Sequence, residues 1–256
     1  MNKRIVVKIG SNVLTRPDGK LDVTRMSALV DQVAWLRGQG YEVVLVSSGA
    51  VASGRGELHI DHSLDSVEQR QLFSAVGQVK LVGLYYDLFR EFGIHVGQVL
   101  TTKENFQSGK QYDNQRACMA VMLENGVLPI VNENDTVSVT ELMFTDNDEL
   151  SGLIAEMVEA ETLILLSNID GIFTGHPDAP ESRLIDHVQP GRDLSEYIQP
   201  EQSAFGRGGM HSKYQTASRL QRAGIRVVIA NGERENILID LMERPAEVPH
   251  TEFNPA

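Results

Sequence analysis

Six short runs along this chain are apolar almost without interruption, and between them apolar positions recur at helical spacing. The runs are RIVVKIG (4–10), YEVVLVS (41–47), IHVGQVL (94–100), VLPIV (127–131), TLILLS (162–167) and IRVVIA (225–230). Continuous β-branched stretches of this length, without strict alternation, predict strands buried on both faces. The first helix is predicted from Thr24, which can cap it. Its core face carries Met26, Leu29, Val30, Val33 and Leu36, and Gly38 and Gly40 end it. Residues 66–92 are helical by period, with Gly77 and Gly83 as points where that helix bends or breaks. Strand and helix in alternation give an α/β fold with a largely parallel sheet covered on both sides. VSVTELMF (137–144) reads as a β-hairpin excursion, and the Pro-, Asp- and Gly-containing stretch 175–200 as a mobile loop region.

One position breaks the first apolar run. Lys8 lies among Val6, Val7 and Ile9, and burying an ammonium is costly unless something compensates it. Ligands of open α/β sheets sit outside the carboxyl ends of the strands. Small and polar residues follow four of the runs: Gly10-Ser11-Asn12, SSGAVASG (47–54), NENDTVS (132–138) and NIDGIFTGHPD (168–178). Glycine permits close backbone approach, and amides at a helix start bind anions, so these loops predict an extended anion site. FGRGGMHSKY (205–214) is glycine-rich, but Ser212 precedes the lysine and a loop precedes the glycines, so it is not a Walker loop. His211 stands where a dinucleotide fingerprint needs its third glycine. What remains is a loop that delivers Lys213 at a helix start; the alternative is an exposed helical lysine. In TDND, Asp146 or Asn147 can cap the following helix. Asp148 is then the natural partner for a buried Lys8.

Composition narrows the function. The 256 residues include 41% hydrophobic ones, enough for a substantial core. The formal net charge is -12 and the pI is about 5.0, without a basic stripe, which argues against a general nucleic-acid binder. A single cysteine, Cys118, excludes an internal disulfide framework; its helical context predicts a small core residue. The seven histidines form no metal-ligand spacing, and no G-x-S-x-G elbow is present. No apolar stretch approaches the roughly 20 residues of a membrane span, and Lys8 interrupts the first run too early for a signal peptide. A soluble, cytoplasmic protein is expected.

Read in chain order, VVKIGSNVLT, VSSGAVASGR, AVGQVKL, FGIHVGQVL, VNENDTVS, TDNDELS, SNIDGIFT and GRGGMHSK resemble the amino acid kinase family. The resemblance covers nearly the whole chain, and NEND followed by DND is its most discriminating pair. It implies one domain over 1–256, a three-layer αβα sandwich around a mainly parallel sheet. Residues 1–165 would form the acceptor lobe and residues 166–256 the nucleotide lobe. It further implies ATP-dependent phosphorylation of the γ-carboxylate of L-glutamate, the first step of proline biosynthesis, with Mg2+. Lys8 and Lys213 would contact the transferring phosphoryl group and Asp148 would organise them. Ser48, Gly49, Asp135 and Asn147 would hold glutamate. Lys8, Gly10, Ser167, Asn168 and the segment Arg207, Gly208, Gly209, Met210, His211, Ser212 and Lys213 would line the nucleotide site, with no protein metal ligand assigned. Asn168, Arg207 and His211 depart from the commoner pattern, which touches nucleotide details and leaves the acceptor site intact. Many relatives carry a carboxy-terminal PUA-type domain; none is expected here. Proline as feedback inhibitor, a homodimer or homotetramer, and no nucleic-acid or membrane partner complete the expectation. The rivals are another family member, such as an acetylglutamate or uridylate kinase, and a non-catalytic sensor of amino acids or nucleotides.

The chemistry agrees with such an acceptor. A glutamate side chain, with an ordinary pKa of about 4.3, is already ionised at neutral pH, so no general base is required. The difficulty is bringing an anion to a phosphate, which calls for positioning and charge neutralisation. Acylated glutamate has no ammonium, so Asp135 would lose its purpose with that substrate.

Overall fold

The computed structural model describes residues 3–107, 109–138, 143–144, 146–198 and 209–255. All six apolar runs are strands: β1 (Arg4–Ile9), β2 (Glu42–Ser47), β3 (Val96–Thr101), β4 (Leu128–Glu133), β5 (Thr162–Ser167) and β7 (Arg226–Asn231). Among the described residues two further strands, β6 (His187–Val188) and β8 (His250–Phe253), complete an eight-stranded sheet of order β3-β4-β2-β1-β5-β7-β8-β6. Among the described residues the strands of this sheet pair in parallel except β7 with β8. β1 lies at the centre, with Lys8 opposite Val46 of β2 and Leu165 of β5.

Side chains of a strand alternate between faces, and here both faces are covered. Ile5, Val7 and Ile9 enter one apolar layer with helices α1 (Ser11–Leu14), α2 (Val23–Gly38), α4 (Ser66–Arg90) and α8 (Ile237–Glu243). Val6 enters the other, with α5 (Lys110–Glu124), α6 (Asn147–Met157) and α7 (Met210–Arg222). This is the three-layer αβα sandwich. The same parity sends Lys8 to the α6–α7 side. Among the described residues no helix is long and apolar enough to cross a membrane.

Several local expectations are corrected. The α2 cap is Asp22, whose carboxylate accepts from Arg25 N at 2.9 Å, and Thr24 lies inside the helix; the expected core face is buried throughout. Neither Gly77 nor Gly83 breaks α4, which runs unbroken for 25 residues from a capping box at Asp65 and Glu68. Gly77 instead lets α4 lie against α3 (Ala50–Glu57): a Cβ there would overlap the Ala50 carbonyl oxygen. Gly54 makes the reciprocal approach, where a Cβ would overlap the Phe73 carbonyl. Cys118 is exposed, because α5 buries only Met119 and Leu123. The stretch expected to be all loop contains β6 and a 3-10 turn at Ser195–Tyr197. Of the expected hairpin, residues 139–142 lie outside the described set, as do Arg207 and Gly208.

Candidate active site

A cavity of about 1000 Å³ opens at the carboxyl ends of β1, β2, β4 and β5. Its floor answers the question that Lys8 raises. Asp148, fully buried in the first turn of α6, places Oδ1 2.6 Å from Lys8 Nζ and Oδ2 2.9 Å from Lys213 Nζ. Three elements distant in sequence therefore meet on one carboxylate. Asp146 caps α6, accepting from Asp148 N at 2.8 Å and Glu149 N at 3.0 Å through Oδ1, and so fixes where Asp148 points. Lys213 lies in the first turn of α7, where its backbone N donates to Gly209 O.

The electrostatics follow from burial and pairing. Burial alone would raise the Asp148 pKa, but the two ammonium groups outweigh it and hold it at about 2. Burial pulls Lys8 down and Lys213 adds to the effect, while Asp148 opposes both. Burial and then the Asp148 charge push Asp146 up. Two cations share the Asp148 carboxylate, and each ammonium has three donor hydrogens. Both lysines line the cavity, so the arrangement is built to receive a further anion.

On one side of this floor stand Ser48, Gly49, Asp135 and Asn147, all lining the cavity. Gly49 takes φ +104 at the start of α3, a backbone geometry that favours glycine. Asn147 Nδ2 donates to Ser48 Oγ at 2.8 Å and to Asn132 Oδ1 at 3.0 Å. Asp135 pairs with Arg70 Nε at 3.1 Å. The Arg70 guanidinium also donates to Ser138 O, tying α4 to the loop after β4. On the other side stand Gly10, Ser167, Asn168, Gly209 and Met210. Gly10 N donates to Leu166 O at 3.2 Å, bringing the backbone beside Lys8. His211 does not line the cavity and is exposed; Ser212 is buried, its hydroxyl hydrogen-bonding the Asp146 carboxylate.

Sequence reasoning missed Asn132 and Arg70 as members of the site. Asn132 opens the NEND segment and could have been found there. Arg70 sits 65 residues before Asp135 on a helix with several polar residues, and nothing local marks it.

The amino acid kinase family model matches residues 3–231. The chain belongs to the amino acid kinase family. Within this family its relatives include the glutamate 5-kinase of Bacteroides thetaiotaomicron, 64% identical over 253 residues, covering 99% of this chain and 70% of that protein. The glutamate 5-kinase of Chlorobaculum tepidum is 47% identical over 237 residues, covering 92% of this chain and 65% of that protein. The kinase chain thus spans about two thirds of the length of these curated relatives. Among solved structures, the carbamate kinase from Giardia lamblia bound to AMP-PNP shares the fold at a TM-score of 0.71 and 14% identity, with 99% of each chain covered. The UMP kinase from Ureaplasma parvum does so at 0.66 and 16%, again with 99% of each chain covered.

Proposed function

We propose that this chain phosphorylates the γ-carboxylate of L-glutamate with ATP, giving L-glutamate 5-phosphate and ADP, the reaction that opens proline synthesis. The observation that carries the reading is the Lys8–Asp148–Lys213 cluster on the floor of the cavity. An identity of 64% to a glutamate 5-kinase supports the choice of acceptor. One γ-carboxylate oxygen bonds to the γ-phosphorus of ATP. The bond from that phosphorus to the β,γ-bridging oxygen breaks, and its electron pair leaves with ADP. No proton moves, because the acceptor arrives ionised. Lys8 and Lys213 neutralise the charge that gathers on the transferring oxygens, and Asp148 holds both ammonium groups in place.

In this reading residues 1–165 form the acceptor side and 166–256 the nucleotide side. Ser48, Gly49, Asp135 and Asn147 bind glutamate. Gly10, Ser167, Asn168 and the segment from Arg207 to Lys213 bind ATP. Mg2+ is assigned to the incoming nucleotide as MgATP, because this ion is usually held by substrate phosphates with one or two carboxylates. The kinase is further proposed to act as a homodimer or homotetramer. Release of ADP is to be followed with ATP and a panel of L-glutamate, N-acetylglutamate, aspartate, carbamate and UMP. Turnover confined to glutamate is expected; turnover with N-acetylglutamate or UMP and none with glutamate overturns the assignment.

A further inference from the structure

Behind the acceptor side lies a buried chain of amides whose polarity is fixed from one end. Glu133 N donates to Asn132 Oδ1 at 2.9 Å, and a backbone N–H can only donate. Asn132 must therefore turn its oxygen toward Glu133 and its Nδ2 the other way. That Nδ2 meets Gln78 Oε1 at 3.0 Å, deep under α4. The same Asn132 oxygen also accepts from Asn147, so Asn147 must present Nδ2 inward, where it also donates to Ser48 Oγ. Among the described residues Asn147 keeps its Oδ1 as an acceptor, and Ser48 keeps its proton as a donor, for whatever enters the cavity that both line. Gln78 itself does not line the cavity and is only 8% exposed. Among the described residues its Nε2 has no hydrogen-bond partner, so only its oxygen is used. Gln78 adjoins Gly77, where α4 is pressed against α3, so this acceptor stands on a rigid support.

We infer that Gln78 is a positioning residue for acceptor recognition: the Glu133 N–H decides which way Asn132 faces, and Gln78, by accepting from its Nδ2, holds Asn132, and with it the Asn147 amide, in place. An acceptor on Asn147 beside a donor on Ser48 suits a ligand carrying both an ammonium and a carboxylate. The inference rests on the glutamate reading above and names what enforces selection for the zwitterion. Without the Gln78 oxygen the buried Asn132 Nδ2 loses its partner, and Asn132 cannot turn over without setting donor against donor at Glu133.

The test compares glutamate with glutarate, which lacks the ammonium, in wild type, Gln78→Met and Gln78→Glu. Methionine keeps the volume and removes the acceptor, whereas glutamate keeps an oxygen at that place. Gln78→Met is expected to raise KM for glutamate about tenfold, to leave KM for ATP and kcat within about twofold, and to lower the glutamate-to-glutarate ratio of kcat/KM about tenfold. Gln78→Glu is expected to restore most of that ratio. An unchanged ratio in a folded Gln78→Met variant overturns the inference. So does an equal rise of both KM values, or a Gln78→Glu variant as impaired as Gln78→Met, since a merely structural role would give that result. Wild-type protein that does not turn over glutamate overturns the glutamate reading and the inference with it.

Discussion

Replacing Asp148 by asparagine removes the charge on which two buried cations converge and leaves the shape almost unchanged. Lys8 and Lys213 are 5% and 7% exposed, so neither can turn to water without moving its strand or helix. Breaking a buried pair by removing one partner costs about 3–5 kcal/mol. For a chain of this size that is a fall in Tm of roughly 6–20 °C, at about 2–4 °C per kcal/mol. The wild-type carboxylate supplies a second, pH-resolved figure. Its pKa falls from the ordinary aspartate value of 3.8 to about 2, so its contribution is complete above pH about 4 and lost as the pH falls through about 2. The shift corresponds to about 2–3 kcal/mol. Catalytically, the two ammonium groups lose their common anchor, and kcat is expected to fall about 10²–10³-fold. The assays are ADP release with saturating glutamate and ATP, and urea unfolding between pH 2 and 7. Asp148→Asn should lack the part of the acid destabilisation that wild type shows between pH 4 and 2. A folded Asp148→Asn variant with near wild-type kcat, or with an unaltered acid limb, would refute the reasoning.

The remaining predictions concern charge, packing and regulation. Lys8→Ala should lower kcat by about a hundredfold or more while the protein stays folded, because Asp148 retains Lys213; circular dichroism and the ADP assay check both halves. Gly77→Ala should destabilise by about 3 kcal/mol or more, since the new methyl group overlaps the Ala50 carbonyl; unfolding that matches wild type would show that α3 can yield. Free proline should inhibit in competition with glutamate, read as a KM for glutamate that rises with proline at constant kcat, and by linkage glutamate should weaken proline binding. Inhibition independent of glutamate would place proline elsewhere.

Much of the central architecture was legible because it rests on local pattern. β1, β2 and β5 are continuous apolar runs, Lys8 stands out as a charge where burial is expected, and Asp148 is the partner its burial calls for. β8 was not legible. His250, Thr251 and Glu252 are polar, and they are buried only because distant groups meet them: Thr251 Oγ accepts from Ile172 N, and Glu252 pairs with Arg226. Asp22 and Thr24 compete for the same cap, and only the backbone path decides between them. Cys118 follows helical periodicity on a helix whose opposite face is solvent. In the site, the sequence pointed to Ser48 and Asn147 but not to the Gln78 and Asn132 amides behind them. Hydrogen bonds across 54 residues leave no trace in spacing.

The parity of Lys8 has a consequence for how the sheet assembles. β1 is apolar toward both layers, so sliding it by one residue between β2 and β5 would exchange Val6 for Val7 at little hydrophobic loss. Strands of that kind carry weak information about their own register. Lys8 supplies what the valines cannot: one step out of place, its ammonium would enter the apolar layer of α2, α4 and α8, with Asp148 on the wrong side of the sheet. An unpaired ammonium there would be penalised by several kcal/mol. The cation that faces the cavity thus also keeps the central strand in frame while the protein folds.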